Sequence, residues 1–188
     1  MQPQTKQNEQ VEEYGKVVGP ATVRIERVLS ASPETVWAYL TESEKCAQWL
    51  ASIDGDVKEG GTITMTWLHK NLTPHNEQIP EEFKQMECGA QKTGTVLIYD
   101  PPRTLSYTWG NSDQPSEVTF KLTPQGKKTL LALSHSKLPS RSDMLGVSTG
   151  WHAHLSILRD KLEGKTPEPF WPNFLKLREA YDHLIKGE

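Results

Sequence analysis

Six histidines, two cysteines and a set of aromatic residues are the side chains of this 188-residue sequence with the most chemistry to offer. His135 falls in phase with Leu131 and Leu133 in an alternating run, which directs its imidazole inward near a strand end. There a neutral ring can orient a ligand or move a proton near pH 7. The plainer role is to donate to a neighbouring carbonyl and hold the strand end against a helix. His152 and His154 flank the apolar stripe of a helix, with His154 partly inward and one turn from Trp151. A zinc set of His135, His152 and His154 has no HxxxH or HExxH spacing behind it, so no metal and no cofactor are expected.

Signatures of catalysis are otherwise missing. Gly60-Gly61 precede a strand rather than a helix, so they do not read as a phosphate loop. There is no GxSxG elbow, and neither Cys46 nor Cys88 has a nucleophile context. No catalytic residue is assigned. Asp100-Pro101-Pro102 reads as a tight connection between strands. Arg27 shares the parity of Ile25 and can pair with a buried carboxylate or an acidic ligand, but its place near a strand end favours a solvated rim.

The aromatic residues are the stronger lead. Trp67, Tyr107, Trp109, Phe120 and Trp151 fall on one concave face, joined by Met65 and Leu133. Such a lining suits an apolar or aromatic ligand, with ring faces for area and an N–H or O–H for orientation. The candidate ligand-binding set is Met65, Trp67, Tyr107, Trp109, Phe120, Leu133, His135, Trp151, His154 and Leu155. The competing outcome is that these side chains simply fill a core.

The elements that must position them follow from periodicity. Val23, Ile25 and Leu29 alternate with polar neighbours as a strand with one buried face. Ser32 then caps a helix with Pro33 at its first position, presenting Val36, Trp37 and Leu40. Glu42–Ala51 makes a second short helix, with a brief strand at 56–58. Further strands are predicted over 62–68, 93–99, 103–109, 116–123 and 128–137, joined by turn chemistry at Asn111-Ser112-Asp113 and Gln125-Gly126-Lys127. A long helix runs from Ser142 to before Gly164 with a Val147–Trp151–Leu155–Leu158–Leu162 stripe. A last helix over 173–186 follows three prolines and must dock on something, since alone it is marginal. Residues 69–92 read as a long loop, with a short helix starting at Pro80-Glu81-Glu82.

Composition narrows the classes. Lys and Arg number 21 against 24 Asp and Glu, without a basic stripe, so nucleic-acid binding is not expected. No apolar run is long enough to span a bilayer, and MQPQTKQNEQVEEYGK lacks a secretory apolar region, so a cytoplasmic protein with no membrane association is expected. Two reduced thiols suit that compartment. The chain divides into a polar, mobile arm over 1–20, one domain over 21–164 and a helical extension over 165–188.

IERVLSASPETVW (25–37), Trp49, GTVLIYDPPRTLSYTW (94–109), LSHSKL (133–138) and Gly150-Trp151 stand in a telling order along the chain. Together they make roughly residues 21–163 resemble the START-like (Bet v 1-like, SRPBCC) helix-grip superfamily. Within it the chain is most similar to the C-terminal-domain type of the activator of heat shock protein 90 ATPase. The resemblance implies an α+β helix-grip fold: a curved antiparallel sheet of six to seven strands around a long C-terminal helix, with two small helices after the first strand. Its first implied function is binding a small hydrophobic or aromatic ligand between sheet and long helix. The alternatives are a chaperone-linked stress-response interaction protein and a cyclase- or hydrolase-type enzyme with His135 as acid/base. The sequence leaves the oligomeric state open.

Overall fold

A computed structural model describes residues 13–186. Its centre is one antiparallel sheet in the order β1-β2-β8-β7-β6-β5-β4-β3. The strands are β1 (Lys16–Gly19), β2 (Thr22–Leu29), β3 (Ser52–Gly55), β4 (Thr62–Trp67), β5 (Ala90–Asp100), β6 (Thr104–Trp109), β7 (Ser116–Gln125) and β8 (Lys128–Ser136). The helices are α1 (Pro33–Thr41), α2 (Ser43–Cys46), α3 (Arg141–Leu162) and α4 (Phe170–Leu184). Two 3-10 turns, His69–Asn71 and Glu81–Met86, interrupt the connection between β4 and β5.

Alternation of side chains produces the sheet's two faces. Along β2, Val23, Ile25, Arg27 and Leu29 are buried while Arg24 is exposed, the period of two that a one-sided sheet demands. Gly94 in β5 answers a close approach: a Cβ there would stand 2.1 Å from the Thr108 carbonyl oxygen. Ser32 accepts the Thr35 N–H at 3.3 Å and starts α1 beside Pro33, as the sequence predicts.

Among the described residues the sheet has eight strands rather than six or seven. One addition is β1, inside the segment expected to be a mobile arm. Ala21 in the left-handed region (φ 62°) turns the chain so that Lys16 and Val17 pair with Arg24 and Val23. Val17 and Val18 stay about half exposed on this edge, so β1 left no one-sided pattern to detect. The rest of that expectation, residues 1–12, lies outside the described residues. The other addition is β3, at Ser52–Gly55 rather than 56–58, pairing with β4.

Helix bounds shift where caps come from elsewhere. The α3 cap is Ser140, whose Oγ accepts the Asp143 N–H at 3.1 Å, not Ser142. Helix α2 is a single turn, because its C-terminal half unwinds as Trp49 turns inward and its Nε1 donates to the Tyr39 carbonyl at 2.8 Å. Helix α4 starts at Phe170, three residues before the predicted start.

Helix α3 packs between the sheet and α4. Trp151, Leu155 and Leu158 of the predicted stripe are buried, and so are His152, Ala153 and His154. Burial around so much of its circumference is what a helix with partners on two sides requires. Cys46 is sealed in the same core, and burial pushes its thiol up to about 12, which makes it inert. Among the described residues, no helix is long and apolar enough to cross a membrane.

Candidate functional site

A cavity of about 350 Å³ opens between the β4–β6 end of the sheet, the first half of α3 and the start of α4. Its size falls at the small end of the roughly 300–1,000 Å³ usual for ligand pockets. The sheet supplies Trp67 and Trp109, whose rings meet edge to face at 5.4 Å. Helix α3 adds Trp151, 5.1 Å from Trp109, together with Gly146, Val147, Gly150 and His154. The third wall comes from Phe83 and Met86 of the 3-10 turn and from Phe170, Trp171 and Phe174 of α4.

Gly146 and Gly150 stand one turn apart on the cavity side of α3. Among the described residues, an added Cβ at either would meet nothing beyond its own helix backbone within 4 Å. The space in front of this helix face is therefore left by missing side chains, which the sheet does not fill. The aromatic third wall is internally braced: Phe83 stacks on Trp171 at 5.2 Å, and Phe174 lies edge-on to Phe83 at 5.3 Å.

Glu77 holds that wall in place. Its Oε1 accepts the Phe170 N–H at 2.8 Å and its Oε2 accepts the Trp171 N–H at 2.7 Å. Pro169, the residue at the helix cap, offers no side-chain acceptor, so the carboxylate satisfies orphan donors at the positive end of α4. The His75 ring also lies 3.0 Å from the Pro167 carbonyl. The 69–92 segment is thus clamped onto the C-terminal extension.

Two buried imidazoles supply the cavity's enclosed polar groups. His69 and His154 have ring centroids 5.7 Å apart. The Nδ1–H of His154 donates to the Trp49 carbonyl at 2.7 Å. Among the described residues, Nδ1 of His69 has no hydrogen-bond partner. Burial holds both rings neutral, pulling His69 down to about 4 and His154 to about 3, the latter also opposed by its neighbour His69. Lys92 and Gln91 border the cavity from its exposed side, and the Lys92 ammonium sits 5.1 Å above the Trp109 ring.

Of the ten residues singled out in the sequence, Trp67, Trp109, Trp151 and His154 border this cavity. Met65, Tyr107, Phe120, Leu133, His135 and Leu155 are buried but do not border it. Parity correctly turned them inward, but α3 lies directly against that part of the sheet. Phe120, for example, meets the Trp151 ring edge-on at 5.7 Å.

His135 has a defined structural task. Trp151 Nε1 donates to its Nδ1 at 3.1 Å, which leaves the proton on Nε2 to be donated to Ser116 Oγ at 2.8 Å. Both nitrogens are committed and the residue is fully buried, with burial and the Lys92 charge lowering it to about 4. An acid/base role needs a free nitrogen at the cavity, and His135 has none. His152 faces α4 instead, its Nδ1 3.0 Å from Tyr181 Oη, which itself accepts the Gly15 N–H at 2.7 Å. The three histidines of the hypothetical zinc set thus serve three separate contacts. Arg27 is 6 % exposed, not a solvated rim residue, and its Nη1 donates to the Glu26 carbonyl at 2.7 Å.

Sequence reasoning missed His69, Phe83, Met86, Phe170, Trp171 and Phe174. For Phe170, Trp171 and Phe174 the signal was the aromatic density of Phe170-Trp171-Pro172-Asn173-Phe174, which continues the predicted Phe174–Leu177–Tyr181 face by one turn, whereas His69, Phe83 and Met86 lie in an aperiodic segment that carried none.

Comparison with known proteins agrees with this architecture. No protein among those with curated descriptions matches the chain. A protein from Bordetella parapertussis, solved by NMR, is 36 % identical with a TM-score of 0.77, over 90 % of this chain and 88 % of that one. CalU16 from Micromonospora echinospora shares the fold at 23 % identity and a TM-score of 0.65, over 92 % and 94 % of the two chains. The Aha1 dimer from Colwellia psychrerythraea shares it at 22 % identity and a TM-score of 0.58, over 77 % and 97 %. The model of the family described as "Activator of Hsp90 ATPase homolog 1-like protein" matches residues 30–163. With that match over more than half its length and the helix-grip architecture around it, the chain belongs to the Activator of Hsp90 ATPase homolog 1-like family, within the START-like superfamily.

Proposed function

We propose that this protein is a non-enzymatic binding module that holds a small, flat hydrophobic or aromatic molecule in the cavity beside Gly146 and Gly150. The observation that carries this reading is the enclosure itself: Trp67, Trp109, Trp151, Phe170 and Trp171 converge on about 350 Å³ of space that no side chain fills. Ring faces on several sides provide large contact area at little conformational cost, which favours a planar guest over a chain-like one. The free thiols Cys46 and Cys88 are consistent with a reducing compartment, and we place the protein in the cytoplasm.

Native mass spectrometry of gently purified protein, compared with its denatured mass, tests the proposal. A reproducible extra mass, lost in Trp109→Ala with folding intact, is the expected result. Trp109 suits this role because it lines the cavity while only partly buried. An apo mass in every preparation, together with no quenching of tryptophan fluorescence by planar aromatic probes, would overturn it.

A further inference from the structure

The proposed cavity has an apolar enclosure in which two imidazoles are kept. His69 and His154 are 7 % and 6 % exposed, and Phe170 covers both, its ring centroid 4.9 Å from His69 and 5.0 Å from His154. A buried polar atom without a partner is costly, so groups retained in such a place ordinarily meet something. The Trp49 carbonyl decides what His154 offers. Because a carbonyl only accepts, the His154 proton must lie on Nδ1, and Nε2 presents a bare lone pair. Among the described residues Nε2 has no hydrogen-bond partner, and His154 borders the cavity.

We propose that the ligand is an aromatic molecule bearing a hydroxyl group, a phenol or naphthol, which donates its hydrogen bond to Nε2 of His154. This rests on the cavity being a ligand site. An ether or ketone offers no proton to that lone pair. A carboxylate would bring a charge against an acceptor inside an apolar enclosure, and an ammonium would lose its hydration there. A hydroxyl donates one hydrogen bond and keeps two lone pairs. His154 is too weak a base at about 3 to remove the proton, so the hydroxyl binds in its neutral form.

The test uses the full chain, 15N-labelled, titrated with 2-naphthol and with 2-methoxynaphthalene while the indole N–H and imidazole nitrogen signals are followed. The expected result is about tenfold tighter binding of the naphthol, the worth of one enclosed hydrogen bond. The His154 Nε2 signal should move with the naphthol alone, and His154→Phe should bind both probes equally. Equal binding of both probes with Nε2 unmoved would overturn the hydroxyl assignment and leave the cavity reading intact. Binding of neither probe would overturn both. Should His154→Phe not fold, the Nε2 shift in the unaltered protein decides alone.

Discussion

The Glu77 carboxylate caps a helix that begins 93 residues later, with Oε2 2.7 Å from the Trp171 backbone nitrogen. The first turn of α4 is otherwise short of partners: Pro172 has no N–H, and Pro169 has no capping side chain. A single acidic side chain therefore couples the β4–β5 connection to the C-terminal helix and sets the aromatic wall between them. Glu77→Ala is expected to cost about 1–2 kcal/mol, the usual worth of a cap. Hydrogen exchange should speed up in both 69–86 and the first turns of α4, which unfolding midpoints and exchange maps would check. Faster exchange in only one of the two segments would deny the coupling.

Gly150 gives a test of the cavity that leaves the core intact. Among the described residues an added Cβ meets nothing beyond its own helix backbone within 4 Å, and a mid-helix glycine costs roughly 1 kcal/mol relative to alanine. Gly150→Ala should therefore raise stability by about that amount in urea unfolding. Gly150→Phe should place a ring in the cavity, abolish uptake of planar aromatic probes and leave the protein folded. Undiminished uptake by Gly150→Phe would put the binding site elsewhere.

His135 and Trp151 predict a loss of stability without a loss of binding. Replacing His135 by Ala strands a buried indole N–H and a serine hydroxyl, at a cost of about 1–3 kcal/mol. Probe affinity of the folded fraction should stay within a factor of two or so, since His135 does not border the cavity and one such contact would be worth more. A His135→Ala protein that folds with unchanged stability but no longer binds would return His135 to the site.

Four buried histidines make stability fall in acid. Burial lowers His69 and His135 to about 4, and His152 and His154 to about 3, from an ordinary value of 6.5. Below pH 6.5 the unfolded chain binds protons that the folded protein refuses, so stability is fully present above that value. It drops as the pH falls towards 4, by up to about 1.4 kcal/mol per pH unit for each histidine. Urea midpoints at pH 7.5, 6.0 and 5.0 should decrease in that order. Equal midpoints across this range would show that the rings are protonated in the folded state.

The strands and the long helix were legible because each buries one face. The alternation of Val118, Phe120 and Leu122 and the stripe of Trp151, Leu155 and Leu158 are local patterns, and burial followed them. The edge strand β1 was not legible, since a four-residue strand with half-exposed valines repeats no pattern and is held by pairing with β2. Neither was the start of α4, because its cap lies in another part of the chain.

For the site, the division follows from the same physics. The amino-acid sequence by itself determined the family words, the fold class and the inward parity of Trp67, Trp109 and Trp151. Local period and capping dictate which way a side chain points, but they carry no information on what stands opposite it. Only the tertiary structure decided that Trp151 of α3 closes over Phe120 while Gly146 and Gly150 on the same helix leave space beside it. It alone brought His69 beside His154, across 85 residues of chain, and laid Phe170 over both, because packing between distant segments sets where a void remains and which polar atoms face it.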